Sequence, residues 1–165
     1  MDCLYNELIN ILDNEIATYN DIYKISKEKT DIIVEGKVSE LEKIVQAEQQ
    51  LILRVTQIEN QRETIIFKIS RALKLKSEEI TLTTLIEIVQ GDLGEKLRSQ
   101  QESLSKLVKE LTNLNDLNSK LIRNSLDYIN FSLNLFANSG TKDNNYGIDA
   151  EKSSSKASSM FDFKI

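Results

Sequence analysis

The absence of proline from a chain of 165 residues constrains the fold more than any other feature of the sequence. Proline is the residue that most strongly ends or kinks a helix, so a chain without it can form long uninterrupted helices. The five glycines leave two long stretches free, Lys37 to Gln90 and Glu95 to Ser139. Leu, Ile, Glu, Lys, Gln and Asn are abundant, which is a helical composition. The sequence therefore predicts an all-α protein.

Apolar residues at steps of three and four predict a first helix from about Cys3 to about Val34. Gly36 supplies the left-handed conformation that ends a helix. Ser39 and Glu42 form an S-x-x-E capping box, which predicts the start of the second helix.

The second predicted helix carries a coiled-coil seam over four heptads. Its positions are Leu41, Ile44, Glu48, Leu51, Val55, Ile58, Arg62, Ile65 and Ile69. Two of these are charged, Glu48 and Arg62, and they lie too far apart along one helix to reach each other. Each is expected to pair with another helix or to lie in a wetter layer, an interpretation favoured over a polar functional site.

Thr81 predicts the start of a short helix that ends near Gly91 and crosses over to the last long helix, from about Glu95 to about Ala137. The predicted fold is an elongated antiparallel bundle of three long helices and one short crossover helix. Residues 1–137 form its body.

From Asn138 the sequence turns polar and cannot bury enough apolar surface to offset the entropy of ordering. Residues 138–165 are therefore predicted to be a disordered tail. The tail ends in a short apolar motif, Phe161, Phe163 and Ile165, whose side chains would share one side of an extended strand. The motif is interpreted as a docking segment for a partner, as a segment that folds back on its own body, or as a frayed end.

The residue types that the chain lacks exclude most catalytic and metal-binding sites. The chain has no His and a single Cys, Cys3, so it can form no Ser-His-Asp triad, no imidazole metal site, no CxxC pair and no intramolecular disulfide. We expect no enzyme activity, no cofactor and no metal. The net charge of −5 argues against nucleic acid and against anionic membranes. The sequence shows no secretory signal and no apolar run long enough to span a bilayer, so a cytoplasmic location is expected.

Three features together resemble the FlgN-like flagellar export chaperones. Glu48 and Arg62 punctuate the middle helix, and the run Leu-Asn-Asp-Leu-Asn-Ser-Lys-Leu-Ile, from Leu114 to Ile122, lies in the last helix. The Thr-Leu-x-x-Leu stretch that starts at Thr81 fits the same pattern. The resemblance extends over residues 1 to about 135.

The resemblance implies a cytoplasmic type III secretion chaperone that holds the C-terminal helices of hook–filament junction proteins. It would prevent their premature assembly and deliver them to the export gate or ATPase complex. A monomer or weak homodimer is expected, with no stable membrane insertion and no nucleic-acid partner. The alternative is a structural coiled-coil scaffold that self-associates and has no client.

A client groove is predicted on the wide apolar stripe of the last helix, formed by Leu111, Leu114, Leu117, Leu121, Ile122, Leu126, Ile129 and Leu133. The other interpretation of this stripe, which we favour, buries it against the first two helices. Asn115 and Asn118 are interpreted as seam residues that fix the helix register. A role in hydrogen bonding to a client backbone is the alternative.

Overall fold

The structure is a computed structural model that describes residues 1–139. In this range the elements are α1 (Asp2–Glu35), α2 (Val38–Leu73), a 3₁₀ turn (Ser77–Glu79), α3 (Leu82–Ile88) and α4 (Asp92–Ser139). The prediction of an all-α fold with three long helices and one short helix is confirmed. The predicted tail, including Phe161, Phe163 and Ile165, lies outside the described residues except for its first two positions.

Two residues, Gly36 and Lys37, connect α1 and α2 in a helical hairpin. Gly36 has a left-handed backbone (φ 69°), and its N–H and that of Lys37 donate to carbonyls in the last turn of α1. The Lys37 carbonyl already accepts the first hydrogen bonds of α2. Ser39 is therefore inside the helix and provides no side-chain cap, so the predicted capping box with Glu42 is wrong.

Helices α1 and α2 run antiparallel, as their ion pairs show. Near one end Lys68 of α2 lies 3.4 Å from Glu7 of α1, and near the other end Glu48 of α2 lies 2.7 Å from Lys29 of α1.

Helix α4 runs parallel to α1. The Gln100 side-chain amide donates to the Ile9 carbonyl at 2.9 Å, and the Asn118 amide donates to the Ser26 carbonyl, also at 2.9 Å. From the first contact to the second, α4 advances 18 residues and α1 advances 17, so the two helices stay nearly in register. Helix α4 thus returns alongside α1 after α2 has run in the opposite direction.

The core lies at the end of the bundle where α3 packs. It is built from buried aliphatic side chains of all four helices, including Leu8, Leu12, Ile58, Ile65, Ile69, Leu85, Leu97 and Leu104. Thr81 caps α3 through a reciprocal hydrogen-bond pair with Thr84. This cap fixes the direction in which the chain enters α3.

The chain divides into two compact units after Leu126. The first, residues 1–126, contains α1, α2, α3 and most of α4. In the described part of the chain, the second consists of the last turns of α4.

Candidate functional site

Glu48 is held in an ion pair between α1 and α2. The ammonium of Lys29 lies 2.7 Å from its Oε2, and the Ser26 hydroxyl donates to its Oε1 at 3.3 Å. Both charged side chains are largely shielded from solvent, which makes a short charge-assisted pair effective. Both carboxylate oxygens of Glu48 have partners.

Arg62 lies beside Glu15 of α1, with 3.5 Å between Nη1 and Oε1. Glu15 is only 3% exposed, and its Oε2 has no hydrogen-bond partner among the described residues. Burial raises the pKa of this carboxyl, Arg62 lowers it and Glu59 raises it, with burial the largest effect. The pKa of Tyr19, one turn further along α1, is also raised by burial and by these carboxylates.

The two predicted seam asparagines occupy different environments. Asn118 is 2% exposed; it donates to the Ser26 carbonyl and accepts a 2.7 Å hydrogen bond from the Thr30 hydroxyl. These bonds tie α4 to α1 at one register. Asn115 is exposed.

The predicted client residues span a gradient of exposure along α4. Leu111, Leu114, Leu121 and Ile122 are half-buried, whereas Leu117, Leu126, Ile129 and Leu133 are exposed. Part of the stripe is therefore half-buried and the rest of it is exposed.

The last turns of α4 carry large apolar side chains with high exposure. Tyr128, Ile129, Phe131, Leu133 and Phe136 are 51 to 76% exposed. Ile129, Leu133 and Phe136 follow steps of four and three, so they share one helix face. We call these five residues the terminal apolar segment.

A second feature, the central trough, lies within residues 1–126. One stripe of α1 forms its floor: Glu15, Tyr19, Ile22, Ser26 and Lys29. Side chains of α2 and α4 form its walls, among them Glu48, Ile52, Glu59, Arg62, Leu104, Val108, Leu111 and Asn115. Its two halves are cavities of about 460 and 350 Å³ that adjoin each other, since Tyr19 and Val108 line both.

Sequence reasoning missed the central trough. Its floor mixes charged, polar and apolar residues, so it does not stand out as an apolar stripe. The available signal is the spacing of Glu15, Tyr19, Ile22, Ser26 and Lys29, which alternates steps of four and three and places them on one face of α1.

In the described part of the chain, no helix has the length and apolar character required to cross a membrane. The single cysteine, Cys3, is exposed near the start of α1.

Comparison with known proteins places this arrangement in a family. The family model for FlgN protein matches residues 1–154. The uncharacterized protein YvyG of Bacillus subtilis (strain 168) is 30% identical over 161 residues, which cover 95% of this chain and 96% of that protein. No solved structure matches the chain. This chain therefore belongs to the FlgN family of flagellar export chaperones.

Proposed function

We propose that the clients of this chaperone are hook–filament junction proteins, whose amphipathic C-terminal helices it binds in the cytoplasm. Binding would cover the surfaces that drive assembly until the client reaches the export gate. The chaperone acts by binding alone, with no catalysis and no cofactor. The exposure of the terminal apolar segment is the observation that carries the proposal.

Exposed aromatic and aliphatic side chains at helical spacing suit an amphipathic partner helix, which buries its own apolar face in return. Burying about 400 Å² of apolar surface gains about 10 kcal/mol before the costs of association and ordering are subtracted. Those costs remove a large part of the gain. An affinity in the micromolar range or tighter is the expected result.

Calorimetric titration with synthetic peptides tests the proposal. The peptides are the C-terminal segments, about 40 residues long, of the junction proteins of the same host, with a scrambled peptide of equal composition as control. We expect saturable one-to-one binding. Ile129→Asp and Leu133→Asp should each weaken it by about tenfold or more, because a carboxylate would be desolvated in the contact.

Asn130→Asp and Asn134→Asp are matched controls, since they add the same charge at exposed neighbouring positions of α4. We expect them to change the affinity by less than about threefold. An equal loss of peptide affinity in both pairs of variants would indicate a nonspecific effect of charge. Absence of binding by the unmodified chain would contradict the proposal and favour the self-associating scaffold.

The tail motif, Phe161, Phe163 and Ile165, remains a predicted docking segment for the export gate, the client or the chaperone itself. Deleting residues 160–165 should weaken binding to one of these partners. Unchanged affinity for client and gate would remove the motif from the mechanism.

A further inference from the structure

The central trough combines an apolar groove with one unsatisfied buried carboxylate. Its apolar lining is incompletely covered: Tyr19, Ile22 and Leu111 are half-buried, and Ile52 and Val108 are exposed. The floor extends over the fifteen residues from Glu15 to Lys29, a length of about 21 Å or four helical turns. A partner helix of about four turns has the same length.

The two ends of the trough differ in their electrostatics. At one end Glu48 is fully satisfied by Lys29 and Ser26. At the other end the one cation that the described residues bring to Glu15 is Arg62, at 3.5 Å from one oxygen. Its second oxygen has no partner among the described residues, although it is buried.

An unpaired buried carboxylate oxygen is costly, so its retention points to a ligand that supplies the missing donor. Glu59 lines the same end of the trough, and this second carboxylate favours a positively charged donor. Removal of the pair from water on binding would strengthen the charge-assisted hydrogen bond.

We propose that the central trough binds a helix of the client, and that Oε2 of Glu15 accepts a hydrogen bond from a lysine or arginine on that helix. The apolar residues of the client helix contact Tyr19, Ile22, Ile52 and Val108. Glu15 thereby selects helices with a basic residue among their apolar positions. This inference rests on the proposed function and adds to it a second contact surface with a chemical preference.

The first test uses adjacent residues of α2. Ile52 lines the trough and is 57% exposed, whereas Leu53 is 58% exposed and is absent from the trough lining. Both positions tolerate a charge equally well in the folded protein because both are exposed. We expect Ile52→Asp to weaken binding of the junction-protein peptides by about tenfold and Leu53→Asp by less than about twofold.

The second test removes the carboxylate. Glu15→Gln should weaken binding by about tenfold. Glu63→Gln, the same change at an exposed residue of α2 that does not line the trough, should weaken it by less than about threefold. Replacing the basic residues of the peptide by norleucine, one at a time, should identify one residue whose loss abolishes the difference between the unmodified chain and Glu15→Gln. Urea unfolding of each variant confirms that it is folded.

Three outcomes overturn the inference. Binding that is weakened by Ile129→Asp but unchanged by Ile52→Asp and Glu15→Gln would exclude the trough and leave the proposed function intact. Equal effects of Ile52→Asp and Leu53→Asp would also exclude it. If the unmodified chain binds no junction-protein peptide, the proposed function and the inference both fail.

Discussion

At the residue scale, Glu15 holds a charge that its surroundings solvate poorly. Its pKa lies above the usual value of 4.5, chiefly because of burial and in spite of Arg62. The folded protein therefore binds this proton more tightly than the unfolded chain. The contribution of Glu15 to stability is greatest below the unfolded pKa and falls as the pH rises through the folded pKa. At neutral pH, ionisation of Glu15 therefore lowers the free energy of unfolding relative to the protonated form.

We expect Glu15→Gln to gain stability relative to the unmodified chain as the pH rises from about 4 to about 7, because glutamine does not ionise. Urea unfolding at several pH values measures the difference between the two free energies of unfolding. Arg62→Gln removes the cation that lowers the pKa of Glu15, so in that background the gain should be larger. A difference that is constant or shrinks over this range would contradict a raised pKa.

The sequence identified Glu48 and Arg62 because both interrupt an otherwise apolar seam. It could not identify their partners, Lys29 and Glu15, because these depend on the rotation and register of α1 against α2. Asn115 and Asn118 were both interpreted as seam residues, but only Asn118 is buried, because burial depends on the rotation of α4 against α1. The unsatisfied oxygen of Glu15 had no sequence signal, since an isolated glutamate on a helix is ordinarily solvated.

At the element scale, the junction of α3 and α4 depends on close backbone packing at Gly94. A Cβ at this position would overlap the carbonyl oxygen of Val89, which is backbone and cannot rotate away. Gly91 has φ of 74° and open space around its Cα, so only its left-handed conformation disfavours a side chain. The two glycines thus serve different purposes three residues apart.

We expect Gly94→Ala to lower the free energy of unfolding by about 1–3 kcal/mol, although alanine favours helices, because the overlap forces α3 away from α4. Gly91→Ala serves as the comparison and should cost about 1–2 kcal/mol through strain alone. Circular dichroism during urea unfolding measures both. A Gly94→Ala protein as stable as the unmodified chain would show that the junction can relax without cost.

Helix boundaries were predictable to within a few residues, because the apolar period and the glycines mark them. The start of α2 was mispredicted since S-x-x-E is also an ordinary intrahelical sequence. Lys37 is the residue that immediately precedes α2, and its carbonyl accepts the first hydrogen bonds of the helix. Ser39 therefore lies inside the helix and is not the extended residue that an N-cap requires. Thr81 was predicted correctly because an extended residue does precede α3.

At the scale of the whole molecule, apolar periodicity predicts an all-α bundle but does not show which apolar residues remain exposed. The stripe on α4 keeps its spacing from Leu104, which is buried, to Phe136, which is 76% exposed. Exposure depends on which neighbouring elements cover a stretch of helix, and one helix's spacing contains no such information. The family resemblance supplied a use for exposed apolar residues that periodicity alone could not.

The terminal apolar segment predicts weak self-association of the client-free protein, because apolar patches of this kind associate when no partner covers them. Sedimentation velocity over about a hundredfold range of concentration should show a reversible shift from monomer to dimer. The double variant Ile129→Asp, Leu133→Asp should abolish the shift, and Asn130→Asp, Asn134→Asp should retain it. A saturating junction-protein peptide should suppress dimerisation, since both partners compete for the same side chains. A tight dimer that the peptide does not dissociate would instead indicate that this surface serves self-association.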